Sequence, residues 1–233
     1  MVKSDCSSYT IGIVLAIACA GRVTILALRN TRFPVKLVVG LSSFTVFVLL
    51  FLWYIGVFGG NVHTVVPGKV YRSAQLTGSN LDTVLTQDHI ATEINLRGGD
   101  MSKAWYKSEL QLCQEHGTKH YDITMSARSL PTPTKMAMLL NVLDTAPYPV
   151  LIHCSAGADR TGLACTLYEN VYQHVPLDQA EDEQLTWHHG HFWFGATHAM
   201  NDFFNLYRST GDGMSLREWI LKRYPAVYKT ATA

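Results

Sequence analysis

The sequence contains few charged residues and few cysteines, and each shortage excludes a class of protein. Charged residues make up 16% of the 233 residues, and the formal net charge is only +1. A nucleic-acid partner is therefore not expected, because phosphate backbones are bound by clustered lysine and arginine. The five cysteines are unevenly spaced and form no Cys-x-x-Cys pair. This spacing argues against a disulfide framework and against a zinc or thioredoxin-like site, and no cofactor is predicted.

Apolar residues are concentrated before residue 60. No charged residue occurs between Leu37 and Gly60, and the stretch 37–58 is long enough to cross a bilayer, which takes about 20 apolar residues. An earlier apolar stretch, 9–28, is interrupted by Arg22 and is a weaker candidate. The sequence therefore predicts an N-terminal membrane region, 1–60, with one or two transmembrane helices.

The distribution of positive charge predicts an orientation for this region. Arg29, Arg32 and Lys36 precede the stronger span, whereas the segment 59–67 contains no lysine or arginine. Because lysine and arginine are retained on the cytoplasmic side, the chain after residue 60 is predicted to lie outside the cytoplasm. The predicted location is thus a membrane, with the later domain on its periplasmic or extracellular side.

Globular patterning begins after a short linker, 61–68, and continues over 69–233. The predicted elements are strands at 70–73, 92–96, 120–125 and 149–152 and helices at 81–87, 104–116, 134–144 and 161–173. Strands that alternate with helices are typical of an α/β domain. We expect a mostly parallel central sheet flanked by helices.

A cysteine and an arginine are separated by five residues where the buried strand 149–152 ends and a helix begins. Such a loop can curl so that its backbone N–H groups, with the helix N-terminus, bind an oxyanion. Cys154 is the predicted nucleophile and Arg160 the predicted phosphate clamp, since a guanidinium binds two phosphate oxygens at once. The predicted substrate-binding residues are those of the loop itself: Ser155, Ala156, Gly157, Ala158, Asp159 and Thr161.

The electrostatic field of this loop determines its expected chemistry. A thiol close to a helix N-terminus, inward N–H groups and a guanidinium favours the thiolate form. The thiolate of Cys154 would attack phosphorus, form a phosphocysteine and release an alcohol or phenol, after which water regenerates the thiol. The hydroxyl of Thr161 is expected close to the sulfur, and Gly157 permits the tight turn.

Residues 153–162 follow the pattern His-Cys-x-x-Gly-x-x-Arg-(Ser/Thr)-Gly. This pattern resembles the signature loop of the protein tyrosine and dual-specificity phosphatases. The segments 71–75 and 94–97 are also similar to upstream segments of the bacterial, membrane-anchored members, so the resemblance covers roughly 70–208. It implies a compact α/β phosphatase fold and phosphomonoester hydrolysis that needs no metal.

The general acid is the least defined part of the predicted site. Members of this family usually protonate the leaving oxygen from an aspartate on a loop around thirty residues before the cysteine. The loop 126–131 contains no carboxylate. Asp122 is the predicted general acid, and Asp100 and Asp159 are the alternatives. Asp159 and Arg160 together resemble the Asp-Arg pair of some lipid-directed and bacterial relatives. Alternatively, Asp159 holds the loop in shape through hydrogen bonds from backbone N–H groups.

Three functions are consistent with this site. The first is hydrolysis of phosphotyrosine, phosphoserine or phosphothreonine, with a phosphorylated protein as partner. The second is hydrolysis of a lipid phosphate, which the predicted membrane anchor favours. The third is a non-catalytic phosphate-binding module that has lost its acid. A thiol redox role is disfavoured because no resolving cysteine lies nearby in the sequence.

A late segment contains several histidines among tryptophan and phenylalanine. The histidines are His188, His189, His191 and His198. No cysteine or aspartate stands at ligand spacing within the group, so a metal site is not predicted. The aromatic neighbours indicate a packed segment at the rim of the pocket.

Overall fold

The computed structural model describes residues 34–231. Its first element is helix α1 (Pro34–Phe58), and the chain divides into two compact units after Tyr54. The weaker apolar stretch, 9–28, and the positive charges at Arg29 and Arg32 lie outside the described residues.

Helix α1 covers the stretch 37–58 that the sequence predicts to cross a membrane. Among the residues that the structure describes, however, no helix is both long and apolar enough to cross a membrane. The structure therefore does not support membrane anchoring by this helix. The side of a membrane on which the later domain lies stays a prediction.

The second unit contains five strands and a series of helices. The strands are β1 (His63–Val66), β2 (Val70–Ser73), β3 (Thr92–Asn95), β4 (Lys119–Asp122) and β5 (Val150–His153). The longer helices are α2 (Ser79–Gln87), α3 (Ala104–His116), α4 (Pro133–Thr145), α5 (Asp159–Tyr172), α6 (Leu177–Gln184) and α7 (Ala199–Thr210). A C-terminal segment follows, made of α8 (Leu216–Glu218), a π-helical turn (Trp219–Arg223) and α9 (Tyr224–Ala231).

The strands form one sheet in the order β1-β2-β5-β3-β4. Strand β1 is antiparallel to β2, and the other three neighbouring pairs are parallel. This confirms the predicted mostly parallel sheet flanked by helices. The segment 61–68, which the sequence analysis treats as a linker, contributes β1, because its short apolar run pairs with β2.

The strand register brings several strand ends to one edge of the sheet. His153, the last residue of β5, pairs with Ser73 on one side and with Asn95 on the other. Asn95 pairs in turn with Asp122 at the end of β4. Four strands therefore end at the same level, and the chain that leaves β5 there begins the Cys-x5-Arg loop.

The two faces of the sheet differ in character. One face is packed against α4, α5, α7 and the C-terminal segment and carries the main apolar core, which includes Ile94, Ile152, Phe203 and Trp219. The other face is covered by α2 and α3. It has a small apolar cluster around Leu151, and the remaining part of it is polar. The polar part lies behind the candidate site.

Local sequence signals explain where the flanking helices begin and end. Helix α3 stops at Gly117, whose φ of 68° is left-handed and favours glycine. Helix α4 starts after Thr132, whose side chain accepts a hydrogen bond from Lys135 N, with Pro133 at its first position. Both ends agree with the sequence to within one or two residues.

Phe203 gives a test of the main core. Its side chain is fully buried, and its ring contacts Phe204, Trp219 and Tyr224. Phe203→Ala is expected to lower the free energy of unfolding by about 3–5 kcal/mol, because it removes apolar contacts and leaves a cavity. Urea unfolding measures this, with Leu221→Ala, at a half-exposed position, as the control. Equal losses in the two variants would contradict the assigned core.

Candidate active site

The loop 154–158 connects the end of β5 to the start of α5, at the carboxyl edge of the parallel strands. Open α/β sheets bind ligands at this edge. Cys154 is buried within the main core, whereas Ser155 is exposed and Ala156 half-buried. The loop is thus fixed at its first residue and open to solvent at the next.

The carbonyls at the two ends of the loop are bonded to neighbouring backbone. Ser155 O accepts a hydrogen bond from Gln75 N at 3.2 Å, just beyond the end of β2. Ala158 O accepts one from Gly162 N at 2.8 Å, within the first turn of α5. Both carbonyls therefore point into the scaffold.

The two central carbonyls are held by side chains that are distant in sequence. Ala156 O accepts a hydrogen bond from Asn61 Nδ2 at 2.9 Å. Gly157 O accepts one from Arg72 Nη2 at 2.7 Å. Asn61 and Arg72 are 2% and 1% exposed, so both braces are shielded from competing water. All four carbonyls from residue 155 to residue 158 now point away from the centre of the loop.

The direction of these carbonyls fixes the direction of the N–H groups. In a trans peptide the carbonyl and the N–H of one peptide unit point in opposite directions. The N–H groups of residues 156–159 are therefore turned toward the inside of the loop. Within residues 34–231, the N–H groups of Ala156, Gly157 and Ala158 have no hydrogen-bond acceptor. They form a nest for an oxyanion, to which the N-terminus of α5 adds its partial positive charge.

Arg72 and Asn61 are site residues that the sequence analysis did not assign to the loop. Arg72 also donates to Gln184 O at 2.9 Å and to Gln184 Oε1 at 2.6 Å. Gln184 Nε2 in turn donates to Glu169 Oε1 at 3.0 Å. The only signal in the sequence was the segment 71–75, which resembles a family segment but does not say what its arginine contacts.

Gly157 occupies a position that excludes a side chain. Its φ is +69°, and a Cβ atom there would lie 2.6 Å from Ala74 N and from Ser73 C. Such contacts would push the loop away from β2. The glycine therefore lets the loop lie directly against the end of that strand.

Arg160 is fixed by one end of its guanidinium. Its Nη1 donates to Met125 O at 3.0 Å and to Leu96 O at 3.4 Å, just beyond the ends of β4 and β3. Its Nε is buried and has no partner among the described residues. The hydrogen on Nε is thus left without a partner, as expected of a guanidinium that binds a phosphate.

Two buried hydroxyl groups belong to the residues that border this loop. Thr161 and Ser73 are fully buried, and within residues 34–231 neither Oγ atom has a hydrogen-bond partner. Buried hydroxyl groups usually have one. The structure shows no hydrogen bond from the Thr161 hydroxyl to the sulfur of Cys154, so the predicted interaction between them stays a prediction.

Asp159 begins a chain of hydrogen bonds that leads away from the loop. Its Oδ1 lies 2.7 Å from His191 Nδ1. His191 Nε2 lies 2.8 Å from Asn201 Oδ1, and Asn201 Nδ2 donates to Glu181 Oε1 at 2.7 Å. His191 is 2% exposed, so this partner of Asp159 is fixed within the protein.

Asp122, the predicted general acid, points to the other face of the sheet. Its Oδ2 accepts a hydrogen bond from Tyr106 on α3, and its Oδ1 lies 3.3 Å from His120 Nε2. Cys154 packs in the core on the opposite face. Because alternate strand residues face opposite sides, the structure does not bring Asp122 to the nucleophile.

Asp100, the first alternative acid, is exposed at a turn. Its Oδ1 accepts hydrogen bonds from Ser102 N at 2.9 Å and from Ser102 Oγ at 2.6 Å. These bonds, with the charge of Lys103, lower the pKa of Asp100 below its ordinary value. A lowered pKa favours the ionised form, which is unsuited to donating a proton.

The four histidines after residue 187 have no common centre. The groups of residues within 34–231 that can hold a metal ion include none of them. Their side-chain partners differ: Trp187 for His188, His63 for His189, Asp159 for His191 and Asp202 for His198. Their segment approaches the loop at two points: His191 contacts Asp159, and His189 O accepts a hydrogen bond from the same Asn61 Nδ2 that holds Ala156 O.

A pair of glycine substitutions tests the loop geometry. Gly157→Ala is expected to reduce the affinity for phosphate or vanadate by at least about tenfold, because the new Cβ displaces the nest from β2. Gly68 has the same φ of +69° but open space around it. Gly68→Ala is therefore the control, with a loss of about 1–2 kcal/mol in stability and unchanged anion binding. Isothermal titration measures the affinities, and equal anion binding by both variants would contradict the close contact.

The sequence and the fold of this chain match those of known proteins. Residues 56–173 match a family model described as the tyrosine phosphatase family. The catalytic core of the PP-IP phosphatase SIW14 from S. cerevisiae is 20% identical over 67% of this chain and 94% of its own, with a TM-score of 0.50, and shares the fold. TpbA from P. aeruginosa is 25% identical over 68% of this chain and 91% of its own, with a TM-score of 0.49. Because the family model matches half of the chain, the chain belongs to the tyrosine phosphatase family, whose members are cysteine-based phosphatases.

Proposed function

We propose that this protein hydrolyses phosphotyrosine, phosphoserine or phosphothreonine in protein substrates through a phosphocysteine intermediate. The observation that carries the proposal is the set of four outward carbonyls at 155–158, which turns the peptide N–H groups toward one anion site. Arg160 supplies a fixed positive charge at that site, and Cys154 stands at its base. Preorganised donors of this kind act most strongly where charge develops in a transition state.

The first step is attack by the Cys154 thiolate on phosphorus. A sulfur–phosphorus bond forms while the bond between phosphorus and the leaving oxygen breaks. The inward N–H groups and Arg160 hold the three remaining phosphate oxygens, so that the attacking sulfur and the leaving oxygen lie in line. The leaving oxygen then needs a proton.

We assign that proton to the pair formed by Asp159 and His191. Because Asn201 Nδ2 donates to Glu181, Asn201 Oδ1 faces His191 Nε2 and accepts its hydrogen. The hydrogen bond between His191 Nδ1 and Asp159 Oδ1 then requires a second hydrogen. A neutral imidazole carries only one, so the pair holds one transferable proton. Asp159 stands beside Arg160 and is the member closest to the loop.

The second step returns the enzyme to its starting state. With its proton gone, the Asp159–His191 pair accepts a proton from water as the water oxygen attacks phosphorus. The sulfur–phosphorus bond breaks, inorganic phosphate leaves, and Cys154 returns to the thiolate. The hydroxyl of Thr161 stabilises that thiolate as it leaves.

A lipid phosphate is the second candidate substrate. Trp193 and Phe194 are 76% and 60% exposed, and they follow His191 within the same segment. Aromatic side chains of this kind favour the interface between a membrane and water. Phosphate release from a phosphotyrosine peptide, compared with release from vesicles that contain a phosphatidylinositol phosphate, separates the two substrates.

Replacement of the nucleophile tests the enzyme proposal. Cys154→Ser is expected to lower kcat for 4-nitrophenyl phosphate by about 10³-fold or more, while phosphate still binds because the nest is unchanged. Steady-state assays and isothermal titration of the full chain measure the two quantities. Equal rates for wild type and variant would exclude a cysteine mechanism. Binding by both without hydrolysis by either would indicate a phosphate-binding module.

The assignment of the acid predicts a dependence on the leaving group. Asp159→Asn is expected to lower kcat by about 10²-fold or more for phenyl phosphate, whose leaving oxygen needs a proton, and far less for 2,4-dinitrophenyl phosphate. Asp122→Asn is the matched control, and its effect is expected to be the same with both esters. If the loss of kcat depended on the leaving group in Asp122→Asn but not in Asp159→Asn, the general acid would be Asp122 and not Asp159.

A further inference from the structure

Buried polar side chains lie on the sheet face opposite to Cys154, between the sheet and α3. We call Glu93 of β3, Glu109 of α3, His120 of β4 and His153 of β5 the polar cluster. Glu93, Glu109 and His153 are each 1% exposed. The reaction proposed above uses neither carboxyl group, although an uncompensated buried carboxylate is costly. The free-energy cost of burying these groups therefore indicates that the cluster has a structural or functional role.

Each member of the cluster has a close neighbour within it. His153 Nε2 lies 3.4 Å from Glu93 Oε1 and 3.6 Å from Glu109 Oε2. His120 Nδ1 lies 3.2 Å from Glu93 Oε2. The groups that face the cluster from neighbouring elements are Gln75, Asn95, Tyr106, Cys113 and Asp122.

The two carboxyl groups differ in protonation. Burial alone would raise the pKa of Glu93, but hydrogen bonds from His120 and Cys113 and the charge of His153 lower it below its ordinary value. Burial raises the pKa of Glu109 to about 8, and the negative charge of Glu93 adds to that shift. At neutral pH Glu93 is therefore ionised and Glu109 is protonated. Of the two carboxyl groups only Glu93 then carries a negative charge, and it faces both His120 and His153.

Glu109 joins the ends of three strands. Its Oε2 accepts a hydrogen bond from Gln75, just after β2, and its Oε1 accepts one from Asn95 Nδ2 at 3.1 Å, at the end of β3. Gln75 N donates to Ser155 O, inside the loop. His153, which ends β5, directly precedes Cys154. One carboxyl group of α3 is thus hydrogen-bonded at the ends of β2 and β3 and lies 3.6 Å from His153 Nε2 at the end of β5.

We propose that Glu109 is a positioning residue for the anion-binding loop: its carboxyl group is hydrogen-bonded to Gln75 and Asn95, at the ends of β2 and β3, and packs against His153 at the end of β5. Through His153 and Gln75 it fixes Cys154 and Ser155. This inference rests on the proposed phosphatase function, because the position of the loop matters to catalysis only if the loop cleaves a phosphate ester.

The burial of Glu109 also implies that the stability and the activity of the protein depend on pH. Its folded pKa of about 8 lies above its ordinary value of 4.5. The folded state therefore binds more protons than the unfolded state between these values, and stability falls as pH rises through that window. Above pH 8 two ionised carboxylates face His153. The repulsion between Glu93 and Glu109 is then expected to displace Glu109 from the strand ends, so that kcat/KM falls on the alkaline side.

Two substitutions of Glu109 and one control test this role in the full chain. Glu109→Gln keeps a neutral group with one acceptor and a donor, so the alkaline fall of kcat/KM near pH 8 is expected to disappear. Glu109→Leu removes the hydrogen bonds. It is expected to lower kcat/KM about tenfold, equally for phenyl and 2,4-dinitrophenyl phosphate. Glu115→Gln, at an exposed position of the same helix, is expected to follow the wild type.

Alkylation of Cys154 by iodoacetamide gives a readout that needs no turnover. In Glu109→Leu the midpoint of the pH profile of alkylation is expected to move upward by at least about one pH unit, a tenfold change in the thiolate equilibrium. If wild type shows no hydrolysis, the proposed function fails, while the alkylation midpoint still tests Glu109. If Glu109→Leu does not fold by circular dichroism, the pH profile of Glu109→Gln decides.

Two results would overturn the proposal. One is a wild-type pH profile in Glu109→Gln together with a wild-type alkylation midpoint in folded Glu109→Leu. The other is stoichiometric binding of Zn²⁺ by Cys154→Ser that Glu109→Gln abolishes. The ligand atoms of Glu93, Glu109 and His153 all lie within 4.8 Å of one another, so such binding would identify the cluster as a metal site instead.

Discussion

An anion site made of backbone N–H groups requires the carbonyls of the same peptides to be satisfied elsewhere. Peptide groups that are aligned in one direction repel one another, and water would otherwise compete for the outward oxygens. In this protein the oxygens are bonded to two side chains and two backbone N–H groups, and the side chains are buried. The charge of Arg72 makes its bond to Gly157 stronger than a neutral one. The shape of the loop is therefore set by the scaffold before any phosphate arrives.

The two faces of the sheet have different roles: one carries the nucleophile, and the other carries the residues that position the loop. Cys154 stands on the face with the large apolar core, where the tight packing of α4, α5 and α7 limits movement of the nucleophile. The opposite face holds ionisable groups, where a proton can be gained or lost without contact with the substrate. His153 and Cys154 are adjacent and point to opposite faces, so a single peptide bond connects the two environments. A titration behind the sheet can reach the reacting sulfur by this short route.

Much of the fold follows from patterns within short segments. A strand at 149–152 and a helix at 161–173 are predicted because burial, glycine and helix signals coincide within a few residues, and the structure has these elements at Val150–His153 and Asp159–Tyr172. Asp122 shows what spacing alone cannot determine: its distance from Cys154 along the chain suits an acid, but strand alternation turns its side chain to the other face. Arg72 and Asn61 lie 85 and 95 positions from the carbonyls they hold. No local pattern reports contacts of that range, because they arise only when strands are placed side by side.

The hydrogen bond from Asn61 to the loop shows that the domain begins earlier in the chain than its composition suggests. Composition divides the chain near Lys69, where globular patterning starts, and treats the preceding residues as a connection. Asn61 Nδ2 nevertheless holds both Ala156 O and His189 O at 2.9 Å, and β1 follows it directly. A fragment cut at the apparent boundary would keep every residue of the signature and lose one of the two side chains that shape it. The smallest active piece of the chain is therefore longer than its motif suggests, and the segment that leads into the sheet is a part of the site.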